Sequence, residues 1–226
     1  MSTRPKDPGD RAADTDPYAP LAKLLPKAEW VQALTLGGAR RALATLLKAR
    51  QANHVLDVCC GAGAQARALA REGFAVVGVD ASATMIGLAR GRSPDIPFHH
   101  LEAGTMRYQG DFDAALVSLA LHEMDEGTRQ AVWAAMRRAV RPGGWLVAMD
   151  YAPPEHPRLL GALARKIIYA DERSFDQVHP PHWANFQTFM AGGGLPGWLA
   201  GQGEPITQES RHLFGNLAVL LVEKQP

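Results

Sequence analysis

Four residues in the first half of this 226-residue chain have the types and spacing that imply ligand chemistry: Asp57, Gly61, Gly63 and Asp80. Asp57 stands at the end of the β-branched apolar run His54 to Val58, of the kind found in parallel strands covered on both faces. Gly61-Ala62-Gly63 follows, where backbone without Cβ can turn sharply and lie against a ligand. The alanine-rich stretch Ala64 to Glu72 has helix propensity and is stopped by Gly73. Ala75 to Val79 reads as the next buried strand, with Asp80 at its end. In an open parallel sheet, ligands bind in the crevice beyond the carboxyl ends of the strands.

Two kinds of ligand suit this arrangement. Gly61 to Ala66 fits G-x-G-x-x-A, the pattern of nicotinamide and flavin dinucleotide sites, though that motif alone is weak. Asp57 discriminates. A carboxylate there would lie near a dinucleotide's pyrophosphate and repel it, and an unpaired buried carboxylate is costly. The same carboxylate suits a ligand carrying an ammonium and a sulfonium. Asp80 serves either ligand, since it can accept both hydroxyls of a ribose.

Four stretches between Val55 and Asp150, VLDVCCGAG, GVDAS, FDAALVSLALHEM and RPGGWLVAMD, resemble the successive motifs of class I S-adenosylmethionine-dependent methyltransferases. VLDVCCG and LALHEM look most like the quinone-biosynthesis C-methyltransferase branch. The resemblance implies an α/β fold with a Rossmann-like seven-stranded sheet, mostly parallel, closed by a C-terminal antiparallel hairpin and flanked by helices. It implies S-adenosyl-L-methionine as cofactor and a small-molecule acceptor, an aromatic or quinol carbon first and oxygen next. It puts Glu102 near the adenine amino group, with the backbone N–H of Ala103 reading a ring nitrogen, and Glu replaces the family's commoner Asp. It also lays the helical region 17–50, whose pattern reads as broken near Pro26 and Gly37-Gly38, over the cofactor. There Tyr18 either closes the pocket or anchors the first helix.

Further candidates follow along the chain. Ser82 reads as the N-cap of a helix carrying Met85, Ile86 and Ala89. Ala81 and Met85 either pack on the adenine or belong to the core. Phe98 to Leu101 is the third strand and Asp113 to Ser118 the fourth. Backbone carbonyls near Ser118 and Leu119 could hold the cofactor's ammonium. The sequence after them, Leu119 to Met124, lacks the N-P-P-aromatic signature of methyltransferases acting on base or amide nitrogens. His122 is the candidate base, standing at the strand's end with a pKa naturally close to working pH. A satisfied structural histidine is the competing reading.

A helix from Glu126 to Val140 carries Arg137 and Arg138 near its C-terminus, where with Arg141 they oppose the macrodipole. Arg141-Pro142-Gly143-Gly144 turns into a fifth strand, Trp145 to Met149. Ile206 to Leu213 and Asn216 to Glu223 are the last two strands.

Residues 152–182 read as an inserted substrate lid, with Tyr151, Phe175, His179 and Phe189 as lining. His179 and His182 lack a convincing third ligand, and prolines stand between them, so no metal site is expected. A later helix is read over Trp183 to Met190, then a turn around Trp198.

Composition sets the frame. With 46% hydrophobic residues the chain can bury one substantial core, so residues 17–226 read as a single domain behind a mobile tail of residues 1–16. A net charge of +1 gives nucleic-acid binding no support. No apolar segment follows MSTRPKDPGD, so no signal peptide is expected, and Leu217 to Val222 is too short to span a bilayer. Adjacent Cys59 and Cys60 seldom meet disulfide geometry and are read as packing under the glycine loop. These features suggest a cytoplasmic protein. A dinucleotide-dependent oxidoreductase and a non-catalytic cofactor-binding protein remain the alternatives to a methyltransferase.

Overall fold

The computed structural model describes Asp16 and residues 25–154, 159–175 and 181–225, with residues 25–34 by backbone alone. The expected tail apart from Asp16, together with Tyr18 and His179, lies outside the described residues.

Short apolar runs form the strands. These are β1 (His54–Val58), β2 (Ala75–Asp80), β3 (Phe98–His100), β4 (Phe112–Ser118), β5 (Val140–Tyr151), β6 (Ile206–His212) and β7 (Leu217–Glu223). They build one seven-stranded sheet in the order β3-β2-β1-β4-β5-β7-β6. β1 pairs in parallel with β2 and β4, β2 with β3, and β4 with β5. β7 runs antiparallel to both β5 and β6. This is the expected Rossmann-like α/β sheet with its closing hairpin.

Side chains alternate between the two faces, as the two-residue period of a strand requires. From β4 and β7, Ala114, Leu116, Leu217, Val219 and Leu221 go to one core. Ala115, Val117, Ala218, Leu220 and Val222 go to the other. On the first face lie α1 (Leu25–Ala49), α2 (Ala64–Arg71) and α3 (Ala83–Arg92). On the second lie α4 (Glu126–Ala139), α6 (Pro181–Ala191) and α7 (Gly194–Gly201). The remaining helix, α5 (Leu159–Ser174), precedes α6.

Three local expectations need correction. The break near Gly37-Gly38 does not occur, and α1 runs through both glycines. Two helical glycines cost about 1–2 kcal/mol together, while full burial of Leu43 and Leu47 on the same helix contributes about 1.5–3 kcal/mol each. Packing therefore overrides the break. The Arg141-to-Gly144 turn belongs to β5 itself, entered through a register shift against β4. It stays in the sheet because Gly143 N–H donates to the Lys224 carbonyl and Lys224 N–H to that of Gly144. The turn around Trp198 is helix α7, started by the left-handed Gly193. The arginines expected at the end of α4 have partners besides the macrodipole: Arg137 in its last turn pairs with Glu204, and Arg141, which falls in β5, pairs with Asp113.

Candidate active site

The strand order reverses at β1, whose neighbours β2 and β4 leave in opposite directions, so a crevice opens at the carboxyl ends of these three strands. Both strands flanking that point end in a strained residue. Cys59 after β1 has φ 56° and Leu119 after β4 has φ 51°, in the left-handed region that L side chains disfavour. Strain of this kind collects at functional sites.

Asp57 is buried on β1, and no hydrogen bond of good geometry reaches either carboxylate oxygen. Burial raises its pKa to about 7. The Ala66 amide at the start of α2 and the Arg40 guanidinium oppose that rise only in part. The glycine loop then bends over it. Gly61 N–H donates to Asp80 Oδ2 at 2.7 Å, and Gly63 N–H donates to the Cys60 carbonyl at 2.9 Å. A Cβ on Gly61 would meet nothing within 4 Å, so that stretch of backbone faces open space. A Cβ on Gly63 would come 2.7 Å from the Phe98 ring. Gly61 keeps the crevice clear, and Gly63 lets α2 start close against β3.

Asp80 ends β2 with its carboxylate shared between two backbone amides, Gly61 N–H on Oδ2 and Ser82 N–H on Oδ1. A carboxylate offers about four acceptor positions, so capacity for further donors remains. Burial raises its pKa. Ser82 caps α3 by accepting from Met85 N–H, and Asp16 accepts from both Ser82 Oγ and Thr84 N–H. The chain before α1 is thereby tied at Asp16 to the start of α3 beside Asp80, a link the sequence does not announce. Met85 and Ala103 are buried, whereas Ala81 and Glu102 are exposed at the ends of β2 and β3. Burial pushes both cysteine thiols up, so neither is a thiolate at neutral pH.

A second group of polar side chains is buried beyond β4. His122 sits in the turn Leu121–Glu123, where its Nδ1 is 2.7 Å from Asp150 Oδ1 on β5. Asp150 also accepts from Leu121 N–H, His122 N–H and Tyr151 N–H, which fixes the turn to the end of β5. From α5, Glu172 Oε2 comes 3.4 Å from His122 Nε2 and 2.6 Å from His182 Nε2 on α6. Tyr151 donates its hydroxyl to Glu172 Oε1 at 2.7 Å. The carboxylates of Asp150 and Glu172 hold the His122 pKa well above the ordinary imidazole value, against the opposing effect of burial. The sequence reading put it near working pH, because it had no carboxylates to set beside the histidine.

Arg129, buried on α4, locks the same turn. Its Nε and one terminal nitrogen donate to the carbonyls of Leu121 and Met124, and the guanidinium lies 4.8 Å over the Phe189 ring. Phe189 is thus a buried core residue, whereas Tyr151 packs at a tilt against His122 and Phe175 against His182. Ser118 and Leu119 lie at the end of β4, with Leu119 N–H held by the Met149 carbonyl. Sequence reasoning missed Asp150, Glu172 and Arg129. Asp150 could have been suspected from its place at the end of an apolar strand, as Asp80 was. Nothing local marks the other two.

Residues 55–144 match the family model described as a methyltransferase domain. Over that span, which carries the strand order and the two acids at the ends of β1 and β2, the chain is similar to a methyltransferase domain. An uncharacterised methyltransferase of Synechocystis is 35% identical over 103 residues, 45% of this chain and 49% of the relative. A demethylmenaquinone methyltransferase of Tropheryma whipplei is 34% identical over 122 residues, 53% of this chain and 49% of that protein. The chain spans about half the length of these curated relatives. Among solved structures, the S-adenosylmethionine-bound amino pentose methyltransferase of Micromonospora echinaspora is 27% identical, with a TM-score of 0.53 over 60% of this chain and 59% of its own. Among the described residues, no helix is long and apolar enough to cross a membrane.

Proposed function

We propose that the chain binds S-adenosyl-L-methionine and transfers its methyl group to a small molecule. The observation that carries this reading is the buried, unpartnered Asp57 carboxylate beneath a glycine loop in which the amides of both glycines are already committed. A phosphorylated ligand needs free N–H groups from the loop and helix start. Here Gly61 N–H goes to Asp80 and Gly63 N–H to Cys60, and the start of α2 faces Asp57. A cationic guest gains what a pyrophosphate would lose. The methionine ammonium and the sulfonium both favour the ionised form of Asp57, while Asp80 has room for ribose hydroxyls. The residues present therefore fit this cofactor and disfavour a dinucleotide.

The sulfonium supplies a methyl already activated for in-line displacement. The protein's share is to align an acceptor with it and to keep water out. Alignment is worth roughly 7–11 kcal/mol, against roughly 3–5 kcal/mol from a general base at 10²–10⁴-fold. Asp57, Gly61, Gly63, Asp80, Ala81, Met85, Glu102, Ala103, Ser118 and Leu119 line or support the cofactor end. His122, Tyr151 and Phe175 stand toward the acceptor. The name of the Tropheryma relative favours a quinol-like aromatic carbon as acceptor, with oxygen the next choice.

Isothermal calorimetry of the full chain against S-adenosylmethionine, S-adenosylhomocysteine, NAD and FAD tests the reading. Binding of the first two, lost in Asp80→Ala, is expected. Affinity for NAD or FAD with none for the sulfonium compound would overturn it.

A further inference from the structure

Three of the buried side chains beyond β4 converge in a way that hydrogen bonding alone does not explain. His122, Glu172 and His182 come from three separate elements, and one donor atom from each lies within 4.8 Å of the others. All three are more than nine-tenths buried. Glu172 Oε2 is shared between them, 2.6 Å from His182 Nε2 and 3.4 Å from His122 Nε2. Yet His122 Nε2 makes no hydrogen bond of acceptable geometry, although it is fully enclosed. A buried polar atom aimed at its neighbours without bonding them points to a missing partner.

The far side of each group is anchored. Asp150 holds His122 Nδ1 at 2.7 Å, and Tyr151 holds Glu172 Oε1 at 2.7 Å. A Glu123 carboxylate oxygen lies 3.9 Å from His182 Nδ1. Outer groups that fix the tautomer and orientation of ligating histidines and carboxylates are the usual surroundings of a protein metal site. Two donor atoms each about 2.1 Å from an ion lie about 3.0–3.4 Å apart in octahedral or tetrahedral geometry. The His122–Glu172 distance already meets that spacing. The Glu172–His182 pair would have to open by roughly half an ångström.

We propose that His122 Nε2, Glu172 Oε2 and His182 Nε2 form a binding site for one divalent first-row transition ion of the Zn²⁺ or Fe²⁺ class. Two imidazoles and one carboxylate suit such borderline ions and discriminate against Mg²⁺ and Ca²⁺, which take oxygen ligands. Three protein donors leave coordination positions open. Binding releases the protons carried by the imidazole nitrogens that become ligands. The site stands on its geometry alone. Its use rests on the methyl-transfer reading: the field of neighbouring Glu123 reaches Cys59 at the glycine loop, so the cluster adjoins the cofactor crevice. An ion there would draw an oxygen-bearing acceptor, such as a hydroxyl beside the methylated carbon, to the end of β4 and lower that hydroxyl's pKa.

The test is metal uptake by the full chain after chelator treatment and dialysis. Zn²⁺ is titrated in competition with a chromophoric chelator, and Co²⁺ is followed by its visible absorption. The expected result is one Zn²⁺ per chain with a dissociation constant of micromolar or tighter, and no Mg²⁺ binding. Affinity should fall at least tenfold in Glu172→Gln and His182→Ala, by about 10–100-fold in Asp150→Asn, and not at all in the exposed-surface variant His99→Ala. Circular dichroism checks that each variant is folded. The wild-type titration decides the matter even where a variant is not. No stoichiometric uptake by the wild type, or uptake equal in folded Glu172→Gln and His182→Ala, overturns the site. Calorimetry with S-adenosylmethionine on the same samples separates the two readings. Metal uptake without cofactor affinity would sink the methyltransferase alone, and cofactor affinity without uptake would sink the metal site alone.

Discussion

Asp57→Asn separates the electrostatic argument from mere packing. In the folded chain the carboxyl is buried and burial pushes its pKa up to about 7, against about 3.9 for an ordinary aspartate. The difference of about 3 pKa units is worth roughly 4 kcal/mol at 1.36 kcal/mol per unit. Because the folded value is the higher one, the acid is protonated at low pH at no cost. The penalty begins as pH passes the unfolded value near 4, grows through the folded value near 7, and is constant above it. Wild-type stability should therefore fall by up to about 4 kcal/mol, relative to the variant, between pH 4 and pH 8. For a chain of this size that corresponds to about 8–16 °C in melting temperature. Differential scanning calorimetry of both proteins at one-unit pH steps reads it directly. A cation bound over the loop reverses the balance by favouring ionised Asp57. S-adenosylmethionine should thus bind wild type more tightly at pH 8 than at pH 6 and release a proton, visible as a buffer-dependent enthalpy in calorimetry. The variant should show neither effect. Parallel melting curves for the two proteins across this range, with no proton release, would refute the reasoning.

The two loop glycines should divide by function. Gly61→Ala adds a methyl facing open space, so it should cost only the left-handed strain of about 1–2 kcal/mol while weakening cofactor binding in calorimetry. Gly63→Ala drives its methyl to 2.7 Å from the Phe98 ring at φ 77° and should cost about 2–5 kcal/mol in urea unfolding. The Arg129→Ala change leaves the Leu121 and Met124 carbonyls without their guanidinium donors and should cost about 2–5 kcal/mol. Arg129→Lys should recover only part of that, because an ammonium cannot span both carbonyls in a fixed fork.

What could be read in the sequence was what is local. The run from β1 through the glycine loop to Asp80 carries its own signals: β-branched residues, glycines at the turn, an acid at each strand end. The structure reproduces these elements within a residue, and Ser82 caps α3 as expected. The glycine-break and turn rules failed where tertiary packing outweighed a local preference. At Gly37-Gly38 a buried leucine stripe carried the helix through, and at Gly143-Gly144 hydrogen bonds to Lys224, just past β7, kept the backbone in the sheet.

The cluster beyond β4 was illegible for a different reason. His122, Asp150, Glu172 and His182 are spread over sixty residues, and each alone has an ordinary explanation. His182 was set aside for want of a third ligand, sought beside it along the chain. The ligand it meets is Glu172 on the preceding helix, and beyond that stands His122 from the turn after β4. The crossover from β5 to α5 and α6 brings them together. No spacing rule could anticipate it, because the spacing is set by where β5 ends. The glycine loop is therefore a motif written in consecutive residues, while the histidine–carboxylate cluster is a constellation assembled by topology. A substitution that alters α5 or α6 should therefore disturb the cluster and leave the glycine loop untouched, since among the described residues none of the hydrogen-bond partners of Asp57, Gly61 or Asp80 comes from those helices.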